Sequence, residues 1–109
     1  MSETLSAWEA LEVDPNSATF PAKAAVAGAP IWVFRVNDGF RGVQEMCPHD
    51  QRSLGNARIV GDATMVRCTY HNYTFKLVNG LGVNCPGYRI AVYQIKEDDG
   101  TLFAQEVPS

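Results

Sequence analysis

From Ile31 to Gln105, apolar and polar positions follow one another in short runs, each broken by a turn signal. Ile31-Trp32-Val33-Phe34-Arg35-Val36 is rich in strand formers, and Asn37-Asp38-Gly39 turns the chain into a returning strand over residues 40–46. Residues 58–60 and 64–67 flank Gly61-Asp62, and residues 73–78 and 81–83 flank Asn79-Gly80, a pair suited to a type I′ turn. Residues 89–96 and 101–105 flank Asp98-Asp99-Gly100. Four hairpins in succession leave little room for helices, so the pattern predicts an all-β chain, a sandwich or barrel of short antiparallel strands. Only Ser6-Ala7-Trp8-Glu9 departs from this. It fits a capping box that opens one helical turn, or an irregular arm, since Asp14-Pro15-Asn16 stops any helix soon after.

Length and composition narrow the picture. A chain of 109 residues reads as a single domain spanning 1–109, with 46% hydrophobic and 19% charged residues and no repeat or linker-like run. No stretch approaches the roughly 18 consecutive apolar residues of a membrane helix. Met1-Ser2-Glu3-Thr4 has neither a basic cluster nor an apolar run of the secretory kind, and the expected location is the cytoplasm. A net charge of −3, with basic residues scattered along the chain, argues against nucleic acid as partner. Such a balance would suit a basic face on another protein, or simply aid solubility. Three cysteines in this setting do not suggest a disulfide framework.

The candidate chemistry lies in two segments, Cys47-Pro48-His49 and Cys68-Thr69-Tyr70-His71. These hold the only two histidines of the chain, each within three residues of a cysteine, with 18 residues between His49 and Cys68. Each follows a predicted strand, which places both on loops at one end of a sheet if those strands run the same way. A Cys2His2 set can hold a tetrahedral zinc ion, although structural zinc sites usually pair Cys with Cys and His with His. A Cys/His pair can also be a nucleophile and its base, which leaves the second pair unexplained. Unrelated buried side chains would need two coincidences. The fourth reading is a 2Fe–2S cluster in which two Cys hold one iron and two His the other.

The arrangement C-x-H, an interval, then C-x2-H resembles the two cluster-binding boxes of the Rieske family. Leu54-Gly55 after the first box, Phe75 after the second, Asn79-Gly80, Pro86 in a place like the family's proline loop, and the closing hairpin extend the resemblance over about residues 20–105. It implies a Rieske-like antiparallel β-sandwich whose smaller cluster-binding subdomain, about residues 45–87, is formed by two loops. It also implies that Cys47 and Cys68 bind the inner iron and His49 and His71 the outer one. By that resemblance the chain is an electron carrier, not an enzyme, passing electrons from a flavin-dependent ferredoxin reductase to a terminal Rieske oxygenase. The alternative is a small subunit like that of a nitrite reductase. A zinc-stabilised binding module is a reading from another class.

Departures from the family pattern refine the expectation. Respiratory members carry two further cysteines that form a disulfide; the matching positions are Arg52 and Tyr70. Tyr73 and Phe75 stand where those members place hydroxyl donors to the cluster sulfurs. Fewer donors stabilise the reduced cluster less, so the expected potential is about −150 mV, at the low end of the Rieske range. Thr69 replaces a common proline, and Asn72 replaces a glycine, a change that matters if the backbone there needs positive φ. Asp50 beside His49 adds a carboxylate that favours imidazolium, steers a partner or simply meets solvent. Cys85 is expected to be a small buried thiol, and Trp8, Trp32, Phe34 and Tyr93 to serve packing.

Overall fold

The computed structural model describes residues 8–16, 19–37, 39–48, 52–69, 72–85 and 87–107. Strands β1 (Glu9–Ala10), β2 (Ala22–Val26), β3 (Ala29–Val36), β4 (Gly39–Gln44), β8 (Val92–Asp98) and β9 (Thr101–Glu106) form one sheet in the order β1-β9-β8-β4-β3-β2. Strands β5 (Arg58–Val60), β6 (Met65–Arg67) and β7 (Thr74–Lys76) form a second, smaller sheet. Every strand pair is antiparallel, as the alternating pattern predicts.

Alternation assigns the faces of the large sheet. Ile31 and Val33 point to a core with Phe40, Tyr93, Leu102 and Ala104, on the side where the sheet curls on itself. Phe34 points the other way, with Val43 and Val92, toward the small sheet. There Val66 and Phe75, both fully buried, complete a second core that also holds Cys47, Cys68 and Cys85. The small sheet and its loops leave the large sheet at Gln44 and return at Ala91. At that neck Gln44 N–H donates to Ala91 O at 2.9 Å, and Ala91 N–H donates to the Gln44 side-chain oxygen at 2.7 Å.

Several expectations are corrected. Glu9–Ala10 is an edge strand on β9 and not a helical turn; Ser6 and Ala7 lie outside the described residues. β2 carries three alanines, a residue depleted in strands, so local propensity does not announce it; five pairings to β3 hold it in place. Its hairpin turns on Ala27 and Gly28, at φ 51° and 82°, the double positive φ of a type I′ turn. Asn79-Gly80 is not such a turn, because only Gly80 has positive φ, and the chain reverses over residues 76–81 with Lys76 N–H donating to Leu81 O. Residues 81–83 form no strand, only single bridges from Gly82 to Phe75 and from Leu81 to Arg89. A Cβ on Gly82 would lie 2.6 Å from Cys85 O, so the segment folds back on itself too tightly to extend a ladder.

Candidate metal centre

The two cysteine boxes leave different sheets, the first from β4 and the second from β6, yet their loops share one construction. Cys47 N–H donates to Arg52 O at 2.7 Å, and Cys68 N–H donates to Tyr73 O at 2.7 Å. Each loop therefore spans six residues, opens on its cysteine, and is pinched at the same offset. Below the pinch stand matching pairs, Met46 opposite Ser53 and Arg67 opposite Thr74. Each expected histidine falls inside its loop by sequence; His49 and His71 lie outside the described residues, as do Asp50 and Tyr70. Among the described residues no three His, Cys, Asp or Glu side chains gather as a metal site.

What the described half shows suits an iron–sulfur centre. Cys47 and Cys68 are 0% and 1% exposed, lie in the same apolar core, and neither is in a disulfide. Two buried sulfurs in one apolar core, each opening a pinched loop, fit thiolate ligation of an inner iron. Asn72 has φ 59°, so the position where a glycine is expected does need the left-handed region, which Asn enters more readily than most residues. Phe75 is fully buried directly behind the second loop and brings no hydrogen-bond donor.

A third segment braces the second loop. Val83 N–H donates to Thr74 O at 2.7 Å, and the Asn84 side chain accepts from Thr74 N–H and donates to Asn72 O, both at 2.9 Å. Tyr88 stacks on Tyr73, ring centroids 6.0 Å apart. Cys85 is buried, its thiol 3.9 Å from Thr74 O, and burial pushes its pKa up, as befits an inert packing thiol. Pro86 lies outside the described residues. The first loop is followed by a 3-10 turn, Leu54–Asn56, capped by the Ser53 hydroxyl, which accepts from Gly55 N–H at 3.0 Å. Gly55 is needed there because a Cβ would lie 2.7 Å from the Trp32 ring. Thr69 in turn donates to Asn56 O at 3.4 Å, tying the second loop to that turn.

The family described as the Rieske [2Fe-2S] domain matches residues 5–94, well over half of the chain. The chain belongs to the Rieske family. A 2Fe–2S cluster is therefore its cofactor. This Rieske chain is 27% identical over 79 residues, 72% of each sequence, to ferredoxin CarAc of Metapseudomonas resinovorans. Among solved structures it matches a chain named as the small subunit of an NADH-dependent nitrite reductase from Mycobacterium tuberculosis, with TM-score 0.77, 16% identity, and coverage of 98% and 100%. It also matches the ferredoxin of carbazole 1,9a-dioxygenase from Nocardioides aromaticivorans IC177, with TM-score 0.72, 17% identity, and coverage of 95% and 100%. Against the terminal oxygenase of carbazole 1,9a-dioxygenase from Novosphingobium sp. KA1, the Rieske chain spans 94% of itself but only 30% of that protein (TM-score 0.68, 18% identity). At these identities the structural matches show the fold. No helix among the described residues is long and apolar enough to cross a membrane.

Asn84 is the residue that sequence reading misses. Its type is common in irregular segments, but partners ten and twelve residues back in the chain leave no local signature. Asn84→Ala should strip Thr74 N–H of its acceptor and lower stability by about 1–2 kcal/mol. Chemical denaturation read by circular dichroism checks this; a midpoint equal to the parent's would mean that water replaces the clamp.

Proposed function

We propose that this protein carries single electrons from a flavin-dependent ferredoxin reductase to a terminal Rieske oxygenase, holding its cluster through Cys47, His49, Cys68 and His71. The observation that carries the reading is the pair of buried cysteines opening two equally pinched loops, in a chain of the Rieske family. When bound, the cluster supplies a one-electron couple. The chain's own part is to hold two thiolates dry in the apolar core, each at the start of the loop that carries its histidine in sequence. Phe75, buried at the position where the family resemblance places a hydroxyl, offers no hydrogen-bond donor, in keeping with a low potential. With both histidines of this domain taken as ligands, the reading assigns substrate chemistry to the partner. The curated relative is a ferredoxin, and one matched structure is a complex of reduced oxygenase and oxidized ferredoxin (TM-score 0.67, 20% identity), which supports the direction of transfer.

The second reading, a small subunit of a nitrite-reductase-like complex, is favoured by the close fold match to the mycobacterial chain. Stable co-purification with a large subunit from the native host would select it. For the carrier, EPR of the dithionite-reduced protein should give a rhombic signal with an average g below that of all-Cys clusters. A reductive titration should give a potential near about −150 mV. Zinc in place of iron would remove the electron-transfer role and leave the fold.

A further inference from the structure

The net charge of −3 conceals a division between the two parts of the molecule. Residues 45–91, the excursion that bears the loops, carry Arg52, Arg58, Arg67, Lys76 and Arg89 against Glu45, Asp50 and Asp62, a net +2. The remainder carries four basic and nine acidic residues, a net −5. Of the excursion's three acids, Glu45 is ion-paired with Lys23 of β2, Asp62 sits at the hairpin tip remote from the loops, and Asp50 alone falls within a loop by sequence, against the five cations. All five basic residues are exposed.

Strand pairing concentrates the positive charge beside the loops. Arg58 and Arg67 are direct cross-strand partners, and Arg67 immediately precedes Cys68. Like charges placed opposite each other cost stability, and the small sheet keeps them in the row nearest the second loop. Arg52 closes the first loop, and Arg89 is bridged to Leu81 in the third segment. Exposed apolar side chains stand at the loop necks as well: Met46, opposite Ser53, at 43% exposure, and Val83, whose N–H donates to Thr74 O, at 49%. Exposed apolar side chains combined with charge are features of a transient protein interface.

We propose that the loop-bearing end is a basic docking face for an acidic surface on a protein redox partner, the reverse of what the net charge suggests. This rests on the carrier reading above. A nucleic acid is the poorer occupant, because the −5 remainder repels a polyanion longer than the face.

The test uses the reduced holoprotein and hexacyanoferrate(III), in stopped flow, between about 10 and about 300 mM ionic strength, over which the Debye length falls from about 30 Å to about 6 Å. Each turnover moves one electron from the protein to hexacyanoferrate(III), which becomes hexacyanoferrate(II). The rate is expected to fall as salt rises, and the cationic oxidant tris(1,10-phenanthroline)cobalt(III) to show the opposite trend. Arg58→Glu/Arg67→Glu should slow the anionic reaction about tenfold at low salt. Lys96→Glu, on the large sheet, should change it less than about twofold. Poly-L-glutamate should protect the protein from hexacyanoferrate(III) at low salt. A rate that climbs with salt for hexacyanoferrate(III), an equal loss in Lys96→Glu, or no protection would each overturn the docking face. So would single-stranded DNA binding that survives at about 150 mM salt, which would assign the face to nucleic acid. Absence of the EPR signal would instead overturn the carrier reading, so the two failures are distinguishable.

Discussion

Cys68→Ser is expected to yield a protein without the rhombic EPR signal and without the red-brown colour, its bound iron down at least about tenfold. A serine oxygen is harder and far more basic than a thiolate, and it replaces the proposed ligand at a position only 1% exposed. The same change leaves a hydroxyl in an apolar core with Val66 and Phe75, at a cost of about 1–3 kcal/mol if it stays unpaired. Circular dichroism with iron analysis separates the two effects. Retained β-signal with lost iron identifies a ligand; an unchanged visible spectrum would remove Cys68 from the site and with it the proposed ligand set.

Gly80→Ala should be among the most damaging single-methyl changes the chain can receive. Gly80 has φ 78°, and a Cβ built there would stand 1.9 Å from Ile90 O, a backbone atom that cannot swing aside. The two residues are already joined by Ile90 N–H donating to Gly80 O at 2.9 Å. Relief therefore requires separating the turn after β7 from the segment that leads into β8, and the expected loss is on the order of 3–5 kcal/mol. Gly28→Ala is the control: φ is 82°, nothing lies within 4 Å, and the cost should be only about 1 kcal/mol. Thermal melts of the two variants decide; similar midpoints would show that φ alone, and not the approach of Ile90, governs Gly80.

The sequence showed the hairpins best where strand formers and turn residues agree, as at Ile31–Val36 and at Asp99-Gly100, whose φ values of 54° and 81° make the expected tight turn. It failed at Ala22–Val26, where alanines carry no strand signal and pairing to β3 decides. It fails differently at Asn79-Gly80, where the dipeptide signals a tight turn that the chain does not make. Gly80 serves a close approach of distant backbone, not a two-residue turn. At the metal centre the cysteines were readable because their spacing to histidine is local. Three features carry no signal of their own in the sequence: the equal pinching of the loops, a backbone bond across five residues in each; the pairing of Arg58 with Arg67, nine residues apart; and the Asn84 clamp, which reaches back ten and twelve residues. The charges of that pair were in view along the chain, but only the register of β5 on β6 makes them neighbours.

The neck at Gln44 and Ala91 has a further consequence. Because these residues are hydrogen-bonded across adjacent strands, everything between them is an insertion whose two ends already meet. The large sheet needs no particular length of chain there, since the entropy of closing such a loop grows only with the logarithm of its size. Lineages can therefore lengthen or recharge the loop-bearing segment while the scaffold stays the same. The same joint makes it a cassette, to be cut at these two residues and grafted onto another member of the fold that presents the same sheet face as Phe34, Val43 and Val92.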